Sequence, residues 1–95
     1  MIDSRVIKLA RLIVNYSINL KKGENVLIEA NDTPIEAVKE FIKAAKDKGA
    51  NVFLNYFDSE LESLLCMDAD KKQYEIRYEN ELEMMKQMDA YIVIR

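Results

Sequence analysis

Histidine and tryptophan are absent from this sequence, and cysteine and proline occur once each. The missing histidine removes the commonest general base and metal ligand at neutral pH. It also excludes any Ser-His-Asp or Cys-His nucleophile assembled within these residues. One cysteine, Cys66, cannot close an internal disulfide. A lone free thiol suits a reducing compartment, so a cytoplasmic protein is expected. No run approaches 18 apolar residues, so no membrane partner is expected. The N-terminus has no basic, apolar and small-residue series of the secretory kind. Neither half has a basic stripe, which argues against duplex nucleic acid. No interleaving of Arg with Tyr suggests a single-strand platform.

What is present is enough for one folded domain. The chain has 95 residues, and 49% of them are apolar. At this length folding buries roughly 60–65% of the unfolded surface, so the core is modest. The net charge of −3 is uneven. Residues 1–48 carry 9 Lys and Arg against 7 Asp and Glu, whereas residues 49–95 carry 5 against 10.

With only two glycines, each turn signal is informative. Residues 2–20 read as a helix with Asp3 or Ser4 as its cap. Val6, Leu9, Ala10, Ile13, Val14, Ser17 and Leu20 form the apolar arc, opposite Lys8, Arg11, Asn15 and Asn19. Lys21 and Lys22 suit the last turn, and Gly23 can take the left-handed stop. Val26–Ala30 is a short apolar strand suited to burial on both faces. Thr33, Pro34 and Glu36 then match a helix start, as cap, first residue and capping-box partner. The helix that follows buries Ile35, Val38, Phe41, Ile42 and Ala45 and ends at Gly49. Asn51–Phe57 is a second strand, and the βαβ unit makes the two strands parallel. A short helix from Ser59 to Met67, a polar break, a helix within 73–88 and a strand at Ala90–Arg95 complete the reading. The expected fold is therefore α/β, three-layered, with a small, mainly parallel three-stranded sheet of order 2-1-3. The final apolar strand has no helix after it, so the sheet reads as incomplete at its C-terminal side.

Several residues invite a chemical reading. Asp68 and Asp70 could hold a divalent cation, but no third ligand lies nearby in sequence, and a polar loop between two helices is the preferred reading. Glu75, Glu79 and Glu83, with Glu81 beside them, read as a solvated helix stripe. Cys66 has no histidine to activate it and reads as a half-buried structural thiol. Met84, Met85 and Met88 read as core. The Ala30–Pro34 turn lies where parallel α/β sheets collect ligands, ahead of a helix N-terminus. It lacks the glycines of nucleotide-binding loops, and plain capping accounts for it.

The segments Leu20-Lys-Lys-Gly-Glu-Asn-Val-Leu-Ile-Glu-Ala30, Pro34-Ile-Glu-Ala-Val38, Lys48-Gly-Ala-Asn-Val52 and Asp89-Ala-Tyr-Ile-Val-Ile94 occur in a telling order. Their succession resembles the beginning of the aminopeptidase T / aminopeptidase S family. These dimetal aminopeptidases are also called leucyl aminopeptidases or thermophilic metalloproteases. The resemblance spans essentially the whole chain and rests on scaffold motifs. It implies that residues 1–95 are a single α/β domain, the N-terminal non-catalytic fragment of a longer two-domain enzyme. It implies a C-terminal catalytic domain that carries two divalent metal ions, such as zinc or cobalt, together with peptide substrates and a homodimer. No catalytic, cofactor-binding or metal residue is implied within the 95. Two other readings stay open. One is a half-Rossmann module binding a small ligand at the Ala30–Pro34 turn. The other is a free-standing interaction module that self-associates through its last strand.

Overall fold

The computed structural model describes residues 3–95. Helix α1 (Ser4–Leu12) starts at Asp3, whose carboxylate accepts the Arg5 amide at 2.8 Å. It continues through a π-helical stretch, Ile13–Ser17. Strand β1 (Asn25–Asn31) follows, then α2 (Ile35–Asp47), β2 (Asn51–Phe57), α3 (Ser59–Cys66), α4 (Lys71–Lys86) and β3 (Ala90–Ile94). The sheet order is β2-β1-β3 and both pairings are parallel, as the βαβ pattern requires.

Alternation along the strands separates two faces. Val26, Ile28 and Ala30 of β1 point to one side with Val52 of β2 and Ile92 of β3. Ala10, Val14 and Leu20 from the first helical segment and Phe41, Ala44 and Ala45 from α2 close over them as the core. Leu27, Glu29, Phe53, Asn55, Phe57, Tyr91 and Val93 point the other way. There α4 lies over the sheet, and neither α3 nor α4 has a buried residue.

The strand starts are knotted together. The Asn25 amide donates to Asp89 Oδ2 at 2.8 Å, and the Asn25 side-chain amide donates to the Gln87 carbonyl at 2.9 Å. Asn51 Nδ2 donates to Asn25 Oδ1 at 3.0 Å. The Gly23 amide reaches the Gly49 carbonyl at 2.9 Å. Gly49 has φ +78°, and a Cβ there would stand 2.9 Å from Lys22 Cγ, so glycine is required twice over.

The structure corrects several sequence expectations. The first helix does not run regularly to Leu20. Its Ile18 amide bonds back five residues to Ile13, and Asn19 takes the left-handed conformation at φ 45°. Asparagine tolerates that geometry, so the stop comes before Gly23, which serves the next turn instead. The widened turn carries Val14 and Leu20 into the core and leaves Leu9, Leu12 and Tyr16 exposed. At α2, Pro34 is the capping residue, not the first helical one, and no side chain caps the helix. Its carbonyl accepts the Ala37 and Val38 amides, the first bonds of the helix. Ile35 is exposed rather than buried, because it lies at the outer rim beside Leu54 and Tyr56. Ala44 takes its place in the core. Cys66 is exposed, not half-buried, because α3 packs nothing over it. Of the methionines, Met85 is exposed and Met84 and Met88 are only partly covered, so the helix lies over its face of the sheet without sealing it.

Candidate functional site

Two places gather polar chemistry. The first is the carboxyl edge of the sheet, where β1 passes into α2. Asp32 turns the chain at φ 51°, and its carboxylate accepts both the Ser59 hydroxyl at 2.7 Å and the Ser59 amide at 2.9 Å. Those bonds, the hydroxyl first, hold the Asp32 carboxyl below the usual carboxylate range. The Asp32 amide donates to the Phe57 carbonyl. Thr33 is buried, and its hydroxyl lies 3.1 Å from the Asn31 carbonyl and 3.4 Å from that of Ile94. The Tyr56 hydroxyl donates to the Thr33 carbonyl. The turn thus spends its donors and acceptors on β2, β3 and the start of α3. It works as a clasp joining the ends of the three strands, while the first amides of α2 beside it have no side-chain cap.

The second is a cleft of about 140 Å³ between the open sheet face and α4. Glu29, Asn55, Glu81 and Tyr91 supply its polar atoms, and Leu27, Met84 and Met85 its apolar wall. The Tyr91 hydroxyl donates to Glu29 Oε1 at 2.7 Å. Burial, then that bond and the nearby carboxylates of Glu29 and Glu81, push the Tyr91 hydroxyl up to about 12. At neutral pH it is a hydrogen-bond donor and not a base. Sequence reasoning missed this pair. The available signal was Glu29 itself, a carboxylate inside an otherwise apolar strand, two residues from the register partner of Tyr91.

The residues singled out from sequence scatter. Asp70 caps α4, accepting the Gln73 amide at 2.8 Å, while Asp68 is an exposed left-handed turn residue. Glu75 pairs with Lys71, Glu81 with Arg77 and Glu83 with Lys86, as a solvated helix surface does. The Tyr74 phenol lies against Cys66, and that contact pushes its pKa up, so the phenol keeps its proton more firmly. Lys21 and Lys22 sit in the turn before β1 and are exposed. Among the described residues no three His, Cys, Asp or Glu side chains are placed to hold a metal ion. No helix among them is long and apolar enough to cross a membrane.

A model of the family described as thermophilic metalloprotease (M29) matches residues 2–95. The chain belongs to that family. Among solved structures it is similar to wild-type AmpT from Thermus thermophilus, with 28% identity and a TM-score of 0.60. That match covers 73% of this chain and 18% of the AmpT chain, so these residues span about a fifth of that relative. No curated protein sequence matches. Metalloprotease membership implies metal ions for a family-length protein. The donor set here does not fit a metal centre, since no three of its carboxylates come together among the described residues and there is no histidine to join them.

Proposed function

We propose that these 95 residues are the N-terminal, non-catalytic part of a cytoplasmic two-domain aminopeptidase that removes N-terminal amino acids from peptides. The two divalent metals and their ligands belong to a C-terminal catalytic domain. The part described here acts as scaffold, borders the substrate entrance and contributes to domain and dimer contacts. One observation carries the reading: the family match runs over residues 2–95, yet the matched region is only 18% of the AmpT chain. The surface supports it. Leu61, Leu64, Leu65, Tyr74 and Tyr78 lie exposed on α3 and α4, apolar side chains open to further protein.

The two other readings gain no support from the geometry. A ligand module at the Ala30–Pro34 turn has no glycine that would let the backbone close on an anion, and Asp32 and Thr33 spend their side chains on the clasp. Hydrolysis of a leucyl chromogenic amide tests the main reading. The purified 95-residue chain, supplied with stoichiometric zinc or cobalt, is expected to release no product. A family-length protein beginning with this segment is expected to release it. Turnover by the 95 residues alone overturns the non-catalytic assignment.

A further inference from the structure

The cleft between the open sheet face and α4 is a feature that the scaffold role leaves unused. Glu29 stands within the central strand, flanked in register by Asn55 of β2 and Val93 of β3. Alternation turns its side chain to the α4 face, where it enters the cleft as a half-buried carboxylate. Its Oε1 accepts the Tyr91 hydroxyl at 2.7 Å, while its Oε2 has a long contact of 3.4 Å with Asn31 Nδ2. An ionised carboxylate offers about four acceptor positions, so most of this one's capacity stays open. Glu81, the other acid of the cleft, is answered by Arg77 at 3.1 Å. Among the described residues no ion pair includes Glu29. Tyr91 stays protonated at neutral pH, so it lends Glu29 a hydrogen bond but no charge. The remaining wall is apolar, made by buried Leu27 with Met84 and Met85.

We propose that this cleft binds a primary ammonium carried on a short apolar body, with Glu29 as its counter-ion. Charge, shape and size each bear on the choice. Glu29 lacks a cation in a partly desolvated place, and an ammonium brings one, with N–H donors for Oε2 and for the Asn55 side-chain oxygen. Leu27, Met84 and Met85 take the apolar body, and the unbranched thioethers adapt to its outline. The cleft's volume of about 140 Å³ is near that of a dry protein cavity that holds benzene, which sets the ligand at about six heavy atoms. Other solutes fit less well. A divalent ion asks for about six oxygens, and much of this wall is carbon and sulfur. A guanidinium prefers two parallel bonds to one carboxylate, and Tyr91 already holds Oε1. A ligand with its own carboxylate would meet Glu29 and Glu81. The site is independent of the peptidase reading, which gives neither Glu29 nor Tyr91 a role.

Amide NMR shifts of the unaltered chain at pH 7, titrated with isopentylammonium chloride, test the proposal. Isopentanol and isovalerate are titrated in parallel as the neutral and anionic isosteres. The expected result is saturable shifts at Leu27, Glu29, Asn55 and Tyr91 with the amine, affinity lower by about tenfold or more with the alcohol, and no saturation with the acid. Glu29→Gln is expected to weaken the amine by about tenfold or more and to leave the alcohol unchanged. Tyr91→Phe keeps the carboxylate and frees Oε1, so it should bind the amine at least as well. Should Glu29→Gln fail to fold, the contrast between amine and alcohol on the unaltered chain decides. Equal affinity for the alcohol overturns the proposal, as does equal affinity of the amine for folded Glu29→Gln. Shifts centred on Glu75, Glu79 and Glu83 overturn it too, since they report loose attraction to an acidic helix surface. So does the absence of saturation by about 50 mM amine, where the Kd would be too weak for a formed site.

Discussion

On the face carrying Val26, Ile28 and Ala30, all three side chains are buried beneath the first helical segment and α2. On the opposite face Leu27 is buried too, but Phe53, Tyr91 and Val93 of the flanking strands remain 37–40% exposed under α4, and Leu54 and Tyr56 are also exposed at the rim of the packed face. The same three strands make both faces, so the difference lies in the helices. Helix α2 turns Val38, Phe41, Ala44 and Ala45 to the sheet and keeps its charges outside. Helix α4 mixes apolar and charged residues around its circumference and sends Arg77 and Glu81 toward the sheet. One face is therefore held by close packing. The other is held by a few polar pins and is open to further protein, in keeping with the proposed place of this segment in a longer enzyme.

The largest expected effect comes from testing that asymmetry directly. Ile28→Ala opens a cavity in the packed face and should cost about 2–5 kcal/mol. For a small domain that is a large share of the total stability, and a urea titration should show a low midpoint or no folded baseline. Leu64→Ala removes a comparable side chain from the exposed surface of α3 and should shift stability by less than about 0.5 kcal/mol. Similar losses from the two substitutions would erase the distinction between the faces.

This asymmetry was only half legible in the sequence. The packed face was readable because its signals are local. The continuous apolar run of β1, the 3.6-residue spacing of α2 and the strand–helix–strand succession each point to one geometry, and together they suggest the order 2-1-3. The clasp was not readable. Thr33, Asp32, Tyr56 and Ser59 look like ordinary capping and turn residues until the parallel pairing brings the strand ends together. Thr33 could not be assigned as a cap or a clasp from sequence, since a hydroxyl suits both. The first helix misled for a similar reason. Its apolar arc fits a regular helix, and nothing in Ile13–Ser17 announces a π-helical widening. The methionines misled because their spacing on α4 gives a helix period but not how closely the helix approaches the sheet.

The open face has its own pin, and removing it should have an intermediate effect. Arg77 lies 5.5 Å from the centre of the Phe57 ring. It also reaches Glu62 on α3 at 2.8 Å and Glu81 on its own helix at 3.1 Å. These carboxylates, Glu62 first, raise its already high pKa, so it is a permanent cation. One side chain thus ties α3 and α4 to β2. A partly exposed cation–π contact and its ion pairs together contribute about 1–2 kcal/mol. Arg77→Ala should lose that much in chemical denaturation and speed amide exchange in α3 and α4 ahead of β1. Arg77→Lys keeps the charge without the planar fork and should recover less than half. Uniform loss of protection across the sheet would mean that Arg77 supports the core rather than the open face.

The smallest effect separates the faces by pH. Tyr91 ionises at about 12 in the folded chain, against an ordinary value of 10.0, because burial and the Glu29 carboxylate favour its neutral form. A raised folded value means that the folded chain keeps a proton the unfolded chain has released. The associated stability is complete below pH 10 and falls as pH rises toward 12. Tyr91 is 37% exposed, so solvent screens the interaction and the difference should stay under about 1 kcal/mol. In Tyr91→Phe this contribution is gone, and the stability curve between pH 10 and 12 should be flatter than that of the unaltered chain. Lysines titrate in the same window in both proteins, so the comparison cancels them. Parallel curves would mean that water already enters the Glu29–Tyr91 cleft freely, and that the open face is looser still than its hydrogen bond suggests.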